Sequence, residues 1–224
     1  MKRPRTAPAP GPKAAGGASL PPLREKKQEL VRTALRDAAL DLFLEKGFEA
    51  VRVEEITARA GVSRRTFFRY FASKDDLMAH GVDEFREVVR RVAEDSPRNI
   101  RPLELFRRTA AEVARISAAA PRSKDVVRII LASPGARMAQ MTRVAAVEDV
   151  LEKAFRSRCR GREERKAAGI FAAMTLAAVG AILREWCLAD GARVERITEQ
   201  VLGAFERSLA GAAGKGAGGR CKSA

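Results

Sequence analysis

Residues 53–74 read VEEITARAGVSRRTFFRYFASK, and this stretch decides the fold. Val53, Ile56, Thr57 and Ala60 recur at i, i+3, i+4 and i+7, which gathers them on one face of a short helix. Gly61 follows where that helix must stop and the chain must turn tightly, a place that favours a residue tolerating positive φ. Val62 can then tuck inward, and Ser63 is a good N-cap for a second helix reaching about Phe71. Two short helices joined by a Gly-containing turn of about three or four residues form a helix-turn-helix.

Charge indicates what the second helix touches. From Ile56 to Lys74 the basic residues are Arg59, Arg64, Arg65, Arg69 and Lys74, with no carboxylate among them. Arg64 and Arg65 fall on the first turn, the part of such a helix that meets base edges in the major groove. Thr66, Tyr70 and Lys74 carry hydroxyl and ammonium donors suited to phosphate oxygens. Phe67 and Phe71, four apart, face the core and carry Phe68, Arg69 and Tyr70 outward. The expected DNA-contacting set is Ser63, Arg64, Arg65, Thr66, Phe68, Arg69, Tyr70 and Lys74. The plainer alternative is a basic, solvated surface helix. It leaves unexplained why a Gly-centred turn, a capped helix and a one-signed segment coincide.

The run from Leu35 to Leu77 resembles the DNA-binding domain of TetR-type transcriptional regulators, through AALDLFLEKGF (38–48), VEEITARAGVS (53–63) and RRTFFRYFASKDDL (64–77). The resemblance implies a two-fold dimer, a helical ligand domain after the motif, and repression relieved by a small molecule. Two positions depart from the family pattern. Val51 stands where a Thr commonly caps the second motif helix, so that cap must come from elsewhere. Phe68 stands where many members have Tyr, which leaves a stacking or methyl contact without the hydroxyl.

Upstream, Lys26 to Lys46 is expected as a helix with Leu35, Ala38, Ala39, Leu42 and Phe43 on its core face, ended by Gly47. Residues 1–23 hold six of the ten prolines and four cations, Lys2, Arg3, Arg5 and Lys13, with no acid. Such a segment cannot bury enough apolar surface to fold. It is expected as a disordered basic arm, either a solvated tail or one that lies on DNA phosphates or enters a minor groove. It lacks the apolar run of an export signal.

Downstream, Ser73 and Asp76 read as a capping box for a helix running to about Asp95. Apolar periodicity then marks helices over about 102–120, 123–132, 136–158, 167–186 and 193–209, and a Gly-rich basic tail from Gly211. The chain therefore divides into an arm (1–23), a helix-turn-helix domain (24–72), a helical effector-binding and dimerisation domain (73–210) and a tail (211–224). Strand signals are nearly absent, and the fold class is all-α. Residues 167–183 are apolar except for Thr175, but short and rich in Ala and Gly for a membrane span. They read as a helix buried all round in a bundle. Gly169, Ala173, Ala177 and Ala181 would let another helix approach closely. By resemblance, the last two helices form the homodimer interface. Phe106, Met138, Met141, Phe171, Met174 and Trp186 are the candidates to line a pocket for a small apolar effector, although at helical spacing such residues are more often plain core. The C-terminal part resembles the TetR subgroup that senses acyl-CoA-like molecules, which implies an effector of that kind.

The chain of 224 residues carries a net charge of +15, which fits a polyanionic partner. Cys159, Cys187 and Cys221 are too scattered for a disulfide framework or zinc site and suit a reducing cytoplasm. His80 is the sole histidine, so no catalytic pair or metal cluster is legible, and no cofactor or enzyme activity is expected. The expected function is a sequence-specific regulator, a repressor released from a palindromic operator on double-stranded DNA by a small apolar ligand. The alternative is a nucleoid-like protein without effector or strong sequence preference, which the charge and tails would also accommodate.

Overall fold

The structure, a computed structural model, describes residues 23–79, 82–159 and 161–216. The expectations for residues 1–22, His80 and Cys221 lie outside these. The described residues form α1 (Leu23–Lys46), α2 (Val53–Arg59), α3 (Arg64–Tyr70), a 3-10 helix (Asp75–Ala79) and α4 (Val82–Asp95). There follow α5 (Pro102–Ala119), α6 (Ser123–Ala132), α7 (Pro134–Arg158), α8 (Arg162–Leu188) and α9 (Val194–Gly216), with no strand among the described residues. The fold is all-α, as the apolar periodicity requires.

Two apolar cores organise these helices. The N-terminal core holds Leu35, Ala39, Leu42 and Phe43 from α1, Ile56 from α2, Phe67 from α3, and Leu77 and Met78 from the 3-10 helix. Phe43 is buried against Phe48, the ring centroids 4.8 Å apart, and truncating it to Ala would cost about 3–5 kcal/mol. Ile129 of α6 and Ala136 of α7 belong to this same core, although they lie far downstream in sequence. The C-terminal core joins α4, α5, α7, α8 and α9 around Phe106, Leu151, Phe155, Ala168, Ala172 and Ile182.

Several boundaries differ from the periodicity reading. The helix expected from Ser73 to Asp95 is preceded by a separate 3-10 turn: Ser73 Oγ accepts from Asp75 N–H (3.2 Å), and Asp76 Oδ2 accepts from Ala72 N–H (3.0 Å). α1 begins at Leu23, inside the segment expected as arm, and α9 continues to Gly216, beyond Leu209. α8 departs most. It is long and apolar enough to cross a membrane, yet only 28% of its apolar window is buried. Ala168, Ala172, Thr175, Val179 and Ile182 form one buried stripe, while Ile170, Ala173, Ala177, Gly180 and Leu188 are exposed. The helix is thus one-sided and not buried all round, because the single chain offers neighbours to one face only.

Candidate nucleic-acid interface

Gly61 adopts φ 66°, the left-handed conformation the turn between α2 and α3 demands. Val62 N–H then bonds Thr57 O at 3.0 Å, closing the turn. Ser63 is extended (φ −77°, ψ 154°) and its Oγ accepts from Thr66 N–H at 3.1 Å, so it caps α3. The Ser63 and Thr66 hydroxyls also lie 2.9 Å apart. Phe67 is fully buried and Phe71 nearly so, which fixes the roll of α3 about its axis and turns Arg64, Arg65, Phe68 and Arg69 to solvent.

On that outer face Phe68 is 48% exposed, edge-on to Phe67 at 5.2 Å. The Arg64 guanidinium sits 5.5 Å over the Phe68 ring and 3.0 Å from Glu54 of α2. Both partners of the Arg64–Glu54 pair are more than half exposed, so the pair is weak and exchangeable for another acceptor. Arg65 makes no hydrogen bond or ion pair among the described residues. Arg69 donates to Tyr70 Oη at 3.0 Å and lies over its ring.

The five cations read in the motif divide into two groups. Arg59 makes a two-pronged contact with Glu45 of α1 (2.6 and 2.9 Å), clamping α2 to α1. The Arg59 hydrogen bond holds the Glu45 carboxyl below its ordinary pKa. Lys74, expected on phosphate, is directed elsewhere. Its Nζ donates to the carbonyls of Phe48 (2.8 Å), Glu49 (3.1 Å) and Val51 (3.1 Å) and lies 4.7 Å above the Phe48 ring. An ammonium has three protons, and these carbonyls take all of them. In this structure Lys74 is therefore a fastener of the turn between α1 and α2. Arg64, Arg65 and Arg69 remain as the presented cations.

The cap that Val51 cannot supply comes from Glu55, whose carboxylate accepts from Arg52 N–H at 3.0 Å and from Lys46 Nζ at 2.5 Å. Val51 itself is buried, which accounts for an apolar residue there. Glu49 lies in the same turn. Its carboxylate accepts from Ser133 Oγ (2.6 Å) and Gly135 N–H (3.0 Å), at the start of α7. A Cβ at Gly135 would stand 3.0 Å from that carboxylate and 3.2 Å from the Phe48 ring, so a larger residue there would have to push these side chains aside by a few tenths of an ångström. Arg122, with φ 57°, bonds Asp37 O at 3.0 Å and pairs with Asp41 (2.7 Å) and Asp125 (2.9 Å), tying the N-terminus of α6 to α1. These long-range ties carried no periodic signal.

Of the six residues offered as a pocket, Phe106, Phe171, Met174 and Trp186 join the C-terminal core, and Met138 and Met141 do not. Phe106 is buried against Phe205 (5.6 Å), Phe171 stacks on Phe155 (5.6 Å), and Trp186 lies under Lys124 (4.9 Å), with Met174 half-buried. Met138 and Met141 are 66% and 65% exposed. The reason is the roll of α7: Ala136 and Ala139 face the N-terminal core, which turns Met138 and Met141 to the opposite side. A cleft of about 440 Å³ between α4, α5 and α9 is lined by mixed charges, including Arg91, Asp95, Arg108, Glu112, Glu195 and Glu199.

With this geometry in place, residues 35–80 match the family described as bacterial regulatory proteins, tetR family. The HTH-type transcriptional regulator TcmR of Streptomyces glaucescens is 37% identical over 84 residues, covering 38% of this chain and 37% of TcmR. Residues 35–80 are thus a DNA-binding segment of the TetR type. Beyond that segment the likeness is one of fold. NalD of Pseudomonas aeruginosa, the secondary repressor of the MexAB-OprM multidrug efflux pump, superposes with TM-score 0.55 at 22% identity, covering 81% of this chain and 96% of NalD. The regulator FadR of Bacillus subtilis, solved with stearoyl-CoA, gives TM-score 0.54 at 17% identity over 76% of this chain and 95% of FadR. TcmR and FadR are transcriptional regulators and NalD is a repressor. The TcmR alignment spans little more than a third of TcmR's length, 37%.

Proposed function

We propose that the chain is a sequence-specific transcriptional regulator that binds double-stranded DNA as a dimer. The observation that carries this is α3: capped by Ser63, rolled by Phe67, and presenting Arg64, Arg65 and Phe68 on a buttressed head. On this reading Arg64 and Arg65 read base edges, while Thr66, Arg69 and Tyr70 approach the backbone. The bare small-residue face of α8, with Ala173, Ala177 and Gly180, supports self-association, with α9 beside it completing the interface. A two-fold dimer then spaces the two copies of α3 about 34–36 Å apart or at a multiple, and its operator is palindromic.

The finer reading is a cytoplasmic repressor released by a small apolar effector. Its support is likeness of fold to NalD, a repressor, and to FadR, solved with stearoyl-CoA. A ligand that prefers the form with α3 misplaced weakens DNA binding by the factor with which DNA weakens its own. The test is selection of bound sites from random DNA, with and without a panel of acyl-CoAs and fatty acids. An inverted repeat, lost from the bound pool in the presence of one panel member, is the expected result. Uniform recovery of all sequences would instead favour a nucleoid-like protein.

A further inference from the structure

Residues 23–34 of α1 precede the matched segment, and their side chains build a second basic surface. Leu23, Arg24, Lys27, Gln28 and Val31 form one wall of a cleft of about 480 Å³, and Arg69 and Tyr70 at the end of α3 form the other. No carboxylate lines it. Glu25 and Glu29 lie roughly 100° or more around α1 from Arg24, because successive residues advance about 100°. Tyr70 is bracketed by two guanidiniums, Arg69 at 4.8 Å and Arg32 at 5.7 Å from its ring centroid. Arg24, Lys27, Arg32 and Arg69 make no ion pair among the described residues, whereas Arg59 and Arg64 are both paired. A cleft with an apolar floor and an uncompensated cationic rim fits a phosphodiester backbone.

Its position identifies which backbone. Arg69 lies four residues after Arg65, on the same face and about 6 Å further along the helix axis. If the first turn of α3 meets base edges, its last turn reaches the wall of the groove, where the phosphates run. We propose that this cleft grips phosphates of the same duplex, with Arg24 and Lys27 as contacts that add affinity without sequence preference. The assignment rests on α3 being the base-reading helix.

The experiment titrates the full chain with an operator duplex selected from random DNA and with a random duplex of equal length, over a range of salt. Arg24→Gln combined with Lys27→Gln lowers affinity for both duplexes by the same factor. It reduces the slope of log affinity against log salt by about 0.9 for each cation removed from a contact. Arg24→Lys combined with Lys27→Arg restores the slope. Lys26→Gln, the same charge removed from the far side of α1, leaves it unchanged. An unaltered slope in the double Gln variant, or an equal loss in Lys26→Gln, overturns the cleft, even while Arg65→Ala still relaxes operator preference at one base position. A parent chain that binds no duplex would overturn the reading of α3 itself, and the cleft with it.

Discussion

The Glu49 carboxylate and the Gly135 amide meet at 3.0 Å, joining the turn after α1 to the first turn of α7. A carboxylate at a helix N-terminus satisfies an otherwise unpartnered N–H and complements the helix dipole. Together with Arg122 on Asp41, this contact binds the DNA-binding head to the C-terminal bundle at two places besides α4.

The contact carries a pH signature. The Ser133 hydrogen bond, then the Gly135 amide, hold the Glu49 carboxyl below its ordinary pKa, and Lys74 adds a smaller push in the same direction. Glu45 and Glu55 are lowered likewise, by Arg59 and Lys46. A carboxylate with a depressed folded pKa stabilises fully above its unfolded value, and that stability is lost as pH falls through the folded one. Thermal melts stepped downward in pH should show Tm falling below the ordinary glutamate range, and Glu49→Gln should show a lower neutral Tm with a shallower fall. Parallel curves for parent and variant would mean that Glu49 contributes nothing.

Arg64→Ala and Arg65→Ala should each cost about 1–3 kcal/mol of operator binding and relax preference at one base position. Arg59→Ala, which loses only its clamp on Glu45, should lower Tm and leave base preference alone. Binding to single-base operator variants separates the two outcomes.

Lys74→Met keeps the packing over Phe48 but leaves three carbonyls without their donor. Denaturant unfolding should show a loss of about 1–3 kcal/mol. The salt dependence of DNA binding should keep its slope. A slope reduced by about one unit with stability intact would restore Lys74 to the phosphate backbone.

Ala177 is exposed near the middle of α8, within the proposed dimer face. Sedimentation at micromolar concentration should give twice the chain mass for the parent, and one chain mass for Ala177→Arg with its helix content retained. A parent mass of one chain would remove the dimer.

The helix-turn-helix was legible because its information is local: a Gly at φ 66°, a Ser whose cap partner is three residues away, and a buried Phe that rolls the helix. Periodicity also found the later helices, since apolar spacing marks which face is covered. It could not say by what. Met138 and Met141 fit a core stripe but face solvent, because α7 turns Ala136 and Ala139 inward instead. α8 looked wholly interior because it is apolar on every side, and composition alone does not reveal a missing neighbour. Lys74 reads from sequence as a phosphate contact, and its three carbonyl partners were not legible, because an ammonium suits a phosphate and a ring of carbonyls equally well. Only tertiary placement separates the two. Glu49 and Arg122 act across more than eighty residues of sequence, a range over which spacing carries no signal.

Ile129 and Ala136 sit in the same apolar interior as Leu35 and Phe67. A fragment cut after Asp95 would therefore lack two of its own packing residues and open a hole beneath α1. Anyone transplanting this DNA-binding head onto a foreign sensor body would have to carry α6 and the opening turn of α7 with it.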